Sequence, residues 1–271
     1  MFKLNKDSVF GTLIIITCFC LVCSVLVSSA VVVLEPYKAA AVANNRQINI
    51  LNVSGFEVKG SVAKTYAAHI ESRLLDVDKG VLLTADEVKA QNIKDVDGYD
   101  FAALSKKPGV SEKIEKAKDS AGIGSRAKLM PVYLSKDESG KVLRVILPFY
   151  GQALWSTVYG YVAVDPADGN TLKGVTFYQH GETPGLGGEI ENPRWQALWV
   201  NKKINNENGE YKFRISKNAD HEGAGKDFDV DALSGATLTS RGVNDFTAYW
   251  LSDAYKPFLE KLGKGEIKLN E

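Results

Sequence analysis

Cysteine is scarce in this chain of 271 residues, and Cys18, Cys20 and Cys23 are its only three. Beyond residue 23 the chain can form neither a disulfide framework nor a cysteine-based zinc site. An iron–sulfur cluster bound by thiolates is excluded there as well, because it needs cysteine ligands. The three histidines are far apart in the sequence. We therefore predict no metal site.

An excess of charge is also missing, since 33 basic side chains balance 33 acidic ones. Without a basic surplus or long runs of one charge, nucleic acid is not an expected partner. No Ser/His/Asp or Cys/His set can be assembled from the context of any motif. We therefore predict no catalytic residue, and the hydrolase class is excluded.

Residues 8–34 contain no charged side chain, and this run exceeds the ~20 residues that a helix needs to span a bilayer. The alternative is a cleaved signal peptide, because Ser28-Ser29-Ala30 resembles a cleavage site. The apolar run, however, passes that site and exceeds the ~7–15 residues of a signal peptide core. We predict that residues 1–35 are a tail and a retained transmembrane anchor, with the cysteines as small apolar residues in it.

The orientation of this anchor is weakly encoded, because two basic residues flank each side of the span: Lys3 and Lys6 before it, Lys38 and Arg46 after it. The short N-terminal tail favours export of the large domain. A domain without cysteine suits an oxidising compartment, because it has none to mispair. We treat residues 36–271 as one exported domain.

The middle of the chain is rich in β-strand signals. Two pairs of apolar runs flank the turn sequences at 135–140 and 165–170, which predicts two hairpins. Adjacent strands joined by tight turns indicate an antiparallel sheet, and helices from both ends of the chain would pack on it. The fold class is therefore α+β. The other predicted elements are helices over 36–51, 62–75, 111–120 and 194–200, and a short strand over 211–215.

A run of small and hydroxyl residues, Asp231 to Ser240, precedes an amphipathic C-terminal helix whose apolar residues recur between Val243 and Leu262. Pro257 can split this helix, and Gly263 can end it. Unpaired N–H groups at a helix N-terminus favour an anion. The alternative is ordinary capping of the helix, for which Thr239 and Ser240 are well placed.

A second segment, the glycine-rich loop Gly181–Glu189, follows a predicted strand. Its exposed backbone can point N–H groups at a ligand. The glycine spacing does not fit a dinucleotide fingerprint, and a Gly-Lys-Ser/Thr sequence is missing, so a Walker A loop is excluded. Taken alone, such a loop can also be purely structural.

Taken together, these segments match a family. Asp231, Ser234-Gly235-Ala236 and Thr237 resemble the motif at which a threonine carries FMN through a phosphoester. Glu182–Gly187 resembles the second motif of the same FMN-binding domain, and Gly151–Ser156 its third, with Ala153 in place of a glycine. With the N-terminal span, the whole chain resembles the C subunit of the sodium-translocating NADH:quinone reductase. Two alternatives stay open: the G subunit of the Rnf complex, and a cofactor-free, membrane-anchored assembly module.

The resemblance implies a one-electron relay in the bacterial inner membrane, with the large domain facing the periplasm. It implies FMN attached covalently to Thr237 by a flavin transferase, and as partners membrane lipid and the A, B, D, E and F subunits. The implied cofactor-binding residues are Thr237, Ser234, Gly235, Ala236, Thr183, Gly185, Leu186 and Gly187. Trp155 could stack on the ring but is expected in the core. His180 and Glu182 are expected to be a surface pair.

Overall fold

The computed structural model describes residues 8–58 and 60–269. The chain divides into two compact units, Met1–Asn45 and Arg46–Glu271. The helices are α1 (Val9–Ser54), α2 (Val62–His69), α3 (Ala85–Ala90), α4 (Phe101–Leu104), α5 (Pro193–Ala197), α6 (Thr237–Tyr249) and α7 (Lys256–Gly263). The strands are β1 (Ile70–Asp76), β2 (Val81–Leu82), β3 (Ser111–Lys113), β4 (Ser125–Ala127), β5 (Leu129–Lys136), β6 (Val142–Gln152), β7 (Thr157–Val164), β8 (Leu172–Gln179), β9 (Arg214–Ser216) and β10 (Asp229–Asp231).

The first helix joins the predicted span and the predicted helix after it into one element of 46 residues, with Pro36 inside it. Its apolar part is long and hydrophobic enough to cross a membrane. The side chains there are almost all exposed, which is what a bilayer environment requires of a lone apolar helix. The structure thus fits a single membrane anchor, whereas the domain boundary at residue 36 stays a prediction.

A six-stranded antiparallel sheet in the order β2-β1-β5-β6-β7-β8 is the centre of the second unit. Both predicted hairpins are present, and an aspartate closes each turn. Asp137 Oδ1 accepts the N–H groups of Ser139 and Lys141, and Asp168 Oδ1 accepts those of Asn170 and Thr171. The α+β class with an antiparallel sheet is confirmed.

The sheet is covered on both faces because successive residues of a strand point to opposite sides. On one face, Phe149 of β6 packs against Phe246 of α6, with ring centroids 5.3 Å apart. On the other face, Ile146 packs with Ile50 and Leu51 from the end of α1. These apolar layers fix the position of α6, whose N-terminus carries the predicted flavin site.

Two predicted helices are wrong in part. The segment predicted as helix over 62–75 leaves the helix after His69, and Ile70–Asp76 pairs along its whole length with β5. The segment over 111–120 begins as β3, paired with β4, and continues as turns. Local propensity is a weak signal, and pairing with a neighbouring strand overrides it in both places.

Smaller elements differ mainly at their ends. The predicted helix over 194–200 is the shorter α5, and the strand ladder predicted over 211–215 begins only at Arg214. The C-terminal helix is split as expected. A wider π turn over Trp250–Ala254 separates α6 from α7, and Pro257 lies in the first turn of α7. Gly263 is the last residue of α7, where a Cβ atom would lie 2.3 Å from the carbonyl oxygen of Asp168.

Candidate flavin site

Helix α6 begins at Thr237, directly after the small-residue turn that follows β10. The residue before the helix, Ala236, has no side chain that can cap it. The first N–H groups of a helix have no partner within it, so this end offers donors and a favourable dipole to an anion. Thr237 and Leu238 are exposed there, whereas Ala236 is buried. The structure therefore leaves the Thr237 side chain accessible at a helix end whose free N–H groups favour an anion.

The other hydroxyl groups of this turn are committed elsewhere. Ser240 is buried, and its Oγ accepts the N–H of Leu233 at 2.9 Å. Thr239 is buried as well, and its Oγ1 donates to Glu182 Oε2 at 2.6 Å. Both residues follow the start of the helix, so neither caps it and that prediction is wrong. Ser234 is exposed in the turn itself.

The glycine-rich loop is folded around the carbonyl oxygen of Thr183. This oxygen accepts the N–H groups of Leu186 at 3.1 Å and Gly188 at 2.9 Å. The turn places Gly185 at a φ of 75°, a conformation that glycine adopts at no steric cost. Thr183, Gly185 and Leu186 are exposed, and Gly187 is buried. The exposed part of the loop is thus a short turn with Leu186 at its tip.

The loop lies directly against the start of α6. A Cβ atom on Gly235 would lie 3.4 Å from Leu186 Cδ2, and one on Gly187 would lie 2.4 Å from Thr239 Oγ1. The approach at Gly187 leaves no room for a side chain, whereas the contact at Gly235 is of ordinary van der Waals length, and glycine suits that position because its φ is 74°. The two sequence motifs, about fifty residues apart, therefore form one site.

The third motif is the bend between β6 and β7, and α6 packs closely on it. A Cβ atom on Gly151 would lie 2.3 Å from Phe246 Cβ, and one on Gly242 would lie 2.7 Å from Ala153 Cα. Trp155 in this bend is 70% exposed, so the expectation that it lies in the core is wrong. Leu154, Leu186 and Leu238 are also exposed apolar side chains from the three segments of the site.

Glu182 is the residue that sequence reasoning misplaced. It is buried rather than part of a surface pair, and it contacts the bend and α6. His180 accepts the N–H of Glu182 at Nδ1, and its Nε2 lies 3.0 Å from Glu191 Oε1. His180 therefore contacts Glu191 through Nε2, whereas its contact with Glu182 is to the backbone. The signal available in the sequence was a carboxylate inside an otherwise glycine-rich motif.

Asp231, the first residue of the segment that resembles a flavinylation motif, is held at the other end of the turn. Its carbonyl oxygen accepts the indole N–H of Trp195 at 2.7 Å, and its carboxylate lies 3.0 Å from His221 Nε2.

Among residues 8–58 and 60–269, no group of three His, Cys, Asp or Glu side chains is arranged to hold a metal ion. The donors of the site are thus backbone N–H groups and hydroxyls, which suit a phosphate ester.

Comparison with known proteins gives the class of this site. A family model described as an FMN-binding domain matches residues 154–252, which include the glycine-rich loop, the turn and α6. The fold and the site therefore define an FMN-binding domain.

Comparison of the whole chain gives the family. The chain is 44% identical over 263 residues to the C subunit of the Na(+)-translocating NADH-quinone reductase of Haemophilus ducreyi, covering 96% of this chain and 97% of that protein. It is 45% identical to the C subunit of the same enzyme in Neisseria meningitidis serogroup B, covering 96% of each. The crystal structure of NqrC from Shewanella oneidensis superposes with a TM-score of 0.74 at 32% identity, covering 83% of this chain and 99% of that one. The chain belongs to the NqrC family, the C subunits of Na(+)-translocating NADH-quinone reductases, which confirms the resemblance drawn from the motifs.

Proposed function

We propose that this chain is an electron-carrying subunit of a Na(+)-translocating NADH-quinone reductase and holds FMN covalently through a phosphoester to Thr237. The observation that carries the proposal is the difference between the hydroxyls near the start of α6. Thr237 is exposed at the helix end, whereas Thr239 and Ser240 are buried and engaged in hydrogen bonds. A bulky phosphate ester needs both an accessible oxygen and nearby donors, and Thr237 combines them.

The residues around Thr237 fit this cofactor. Gly235 and Ala236 carry little side-chain bulk, so a phosphate can approach the backbone of the turn. The exposed apolar side chains of Trp155 and Leu186 offer flat and aliphatic surface to an isoalloxazine ring. Thr183 and Gly185 lie on the exposed side of the loop, where backbone groups can meet the polar edge of the ring. When bound, FMN would supply the electron chemistry, and the protein would set its position and electronic environment.

The acceptor is tested by mass spectrometry of the full chain co-expressed with a flavin transferase. We expect the wild type to carry the mass of one FMN on the peptide that contains Thr237, with yellow fluorescence that survives on a denaturing gel. Thr237→Val should lose this mass and keep its fold, because the side chain is exposed. Thr239→Val is the matched control, because it removes a hydroxyl two positions later in the same helix turn and should keep the flavin. Flavin on Thr239, or flavin still attached in Thr237→Val, would contradict the assignment.

The location and partners follow from the same proposal. The apolar part of α1 anchors the chain in the bacterial inner membrane, among lipid and beside the A, B, D, E and F subunits, and residues 36–271 face the periplasm. The support is the apolar helix itself and the complex named for the relatives. A reporter fused after Glu271 should be active only in the periplasm. Cytoplasmic activity of that reporter would overturn the topology, and a mature N-terminus at Val31 would overturn the anchor.

A further inference from the structure

Glu182 is a buried carboxylate at the junction of the three segments that form the candidate flavin site. Its side chain accepts three hydrogen bonds: Oε1 from the N–H groups of Trp155 at 2.9 Å and Ser156 at 3.3 Å, and Oε2 from the hydroxyl of Thr239 at 2.6 Å. All three donors are neutral. Both oxygens of the carboxylate therefore accept hydrogen bonds from neutral dipoles, and none of the three donors brings a charge that would offset it.

The surroundings of this charge exclude solvent. Glu182 is 4% exposed and Thr239 is 1% exposed. The backbone of Gly187 covers the pair so closely that a Cβ atom there would lie 2.4 Å from Thr239 Oγ1 and 3.0 Å from Glu182 Oε2. Electrostatic interactions are strongest where water is excluded, so a carboxylate charge at this position interacts strongly with nearby groups.

The carboxylate of Glu182 also links the three segments of the candidate site. Thr239 lies in the same first turn of α6 as Thr237, Trp155 belongs to the bend, and Glu182 itself begins the loop that carries Leu186. If one of these hydrogen bonds is lost, the corresponding segment is no longer held to Glu182, and the buried carboxylate loses a donor. One side chain therefore fixes the relative positions of the bend, the loop and the helix start.

We propose that Glu182 is the positioning residue of the flavin site and that its negative charge keeps the reduction potential of the bound flavin low. The inference rests on the proposed attachment of FMN at Thr237. Each electron that the ring accepts adds one negative charge unless a proton follows it. A fixed carboxylate nearby opposes that gain of charge, so the ring is harder to reduce.

The test is Glu182→Gln in the full chain, co-expressed with a flavin transferase and compared with the wild type by spectroelectrochemical titration. Glutamine has nearly the same shape: its amide oxygen can accept the two N–H groups, and its amide nitrogen can donate to the Thr239 oxygen. We expect the flavin to stay attached, the melting temperature to stay near that of the wild type, and the reduction potential to rise. An unchanged or lower potential would overturn the proposal.

Glu191→Gln is the matched control, because it also removes one negative charge from the same segment but at an exposed position. Its potential should equal that of the wild type, since water screens an exposed charge. An equal rise in both variants would show that overall charge, and not Glu182, sets the potential.

A second variant covers the case in which Glu182→Gln does not fold. Glu182→Asp keeps the charge and shortens its reach. The potential should stay at the wild-type value while hydrogen exchange at the amides of Trp155 and Ser156 becomes faster. A potential that rises in this variant, or amides that exchange as in the wild type, would contradict the proposal. A wild type without flavin on Thr237 would instead refute the proposed function, so the two failures are distinguishable.

Discussion

The hydroxyl of Thr239 donates to the carboxylate of Glu182 at 2.6 Å, which joins two residues 57 positions apart in the chain. The bond links the glycine-rich loop to the first turn of α6. It also removes Thr239 from the set of accessible hydroxyls, because the side chain is buried by the same contact. The proposed assignment of Thr237 as the flavin acceptor thus rests partly on the hydrogen bond that already engages the neighbouring hydroxyl of Thr239.

The first prediction concerns this bond. Thr239→Val keeps the shape of the side chain and removes the hydroxyl, so the Glu182 carboxylate loses a buried donor. Hydrogen bonds to charged groups contribute about 1.5–3 kcal/mol, and we expect the free energy of unfolding to fall by that amount. Covalent flavin should remain. Urea denaturation measures the first quantity and mass spectrometry the second.

Ser234→Ala is the control for this measurement, because it removes an exposed hydroxyl from the same turn. Its stability should stay within about 0.5 kcal/mol of the wild type, as is usual for surface substitutions. Equal losses of unfolding free energy in the two variants would show that the Thr239–Glu182 hydrogen bond contributes no more to stability than an exposed hydroxyl does.

The second prediction separates two glycines of the loop. Gly187→Ala would place a Cβ atom 2.4 Å from Thr239 Oγ1, so the Glu182–Thr239 pair has to move apart. Gly185→Ala meets no atom within 4 Å, but its φ of 75° costs an L residue about 1–2 kcal/mol. Both variants should keep covalent flavin and shift its reduction potential, and the shift should be larger in Gly187→Ala because it displaces the Glu182–Thr239 pair. A larger shift of the reduction potential in Gly185→Ala than in Gly187→Ala would contradict this interpretation of the loop.

The sequence predicted those parts of the fold that depend on local signals. The hairpin turns were predictable because Asp137 and Asp168 each bind backbone N–H groups within four residues. Strand β1 was missed because its pairing partner, β5, is about sixty residues away. The burial of Glu182 depends on Trp155 and Thr239, which are also distant in sequence. Long-range contacts of this kind leave no periodic pattern.

The third prediction concerns Trp155, whose side chain is 70% exposed in the bend at the candidate flavin site. An aromatic ring in contact with the flavin would quench its fluorescence, and removal of an exposed side chain changes the stability little. We expect Trp155→Ala to keep covalent flavin and to raise its fluorescence yield. Leu143→Ala removes an exposed apolar side chain outside the three segments and should leave the yield unchanged. An unchanged yield in Trp155→Ala would place the ring away from Trp155.

The last prediction concerns the pair that supports the strand before the flavin turn. Arg214 binds the buried carboxylate of Asp229 through two hydrogen bonds of 2.7 Å, and the N–H of Asp220 adds a third at 2.9 Å. Burial acts to raise the pKa of Asp229, but the bonds to Arg214 and to the Asp220 N–H outweigh it and hold the pKa below its ordinary value of 3.8. A carboxyl group with a lowered pKa in the folded state stabilises the fold above its unfolded pKa, and this stability is lost as the pH falls through the folded value.

Asp229→Asn should therefore be less stable than the wild type at neutral pH, and the difference should shrink below about pH 4. The measurement is the melting temperature of both proteins between neutral pH and about pH 2.5. Asp227→Asn is the control, because Asp227 is exposed two residues earlier in the chain. The wild type and the control should lose stability in parallel on acidification, and Asp229→Asn should lose less. If the curves of Asp229→Asn and the wild type run parallel down to the lowest pH, the Arg214–Asp229 pair does not account for the acid sensitivity of this domain.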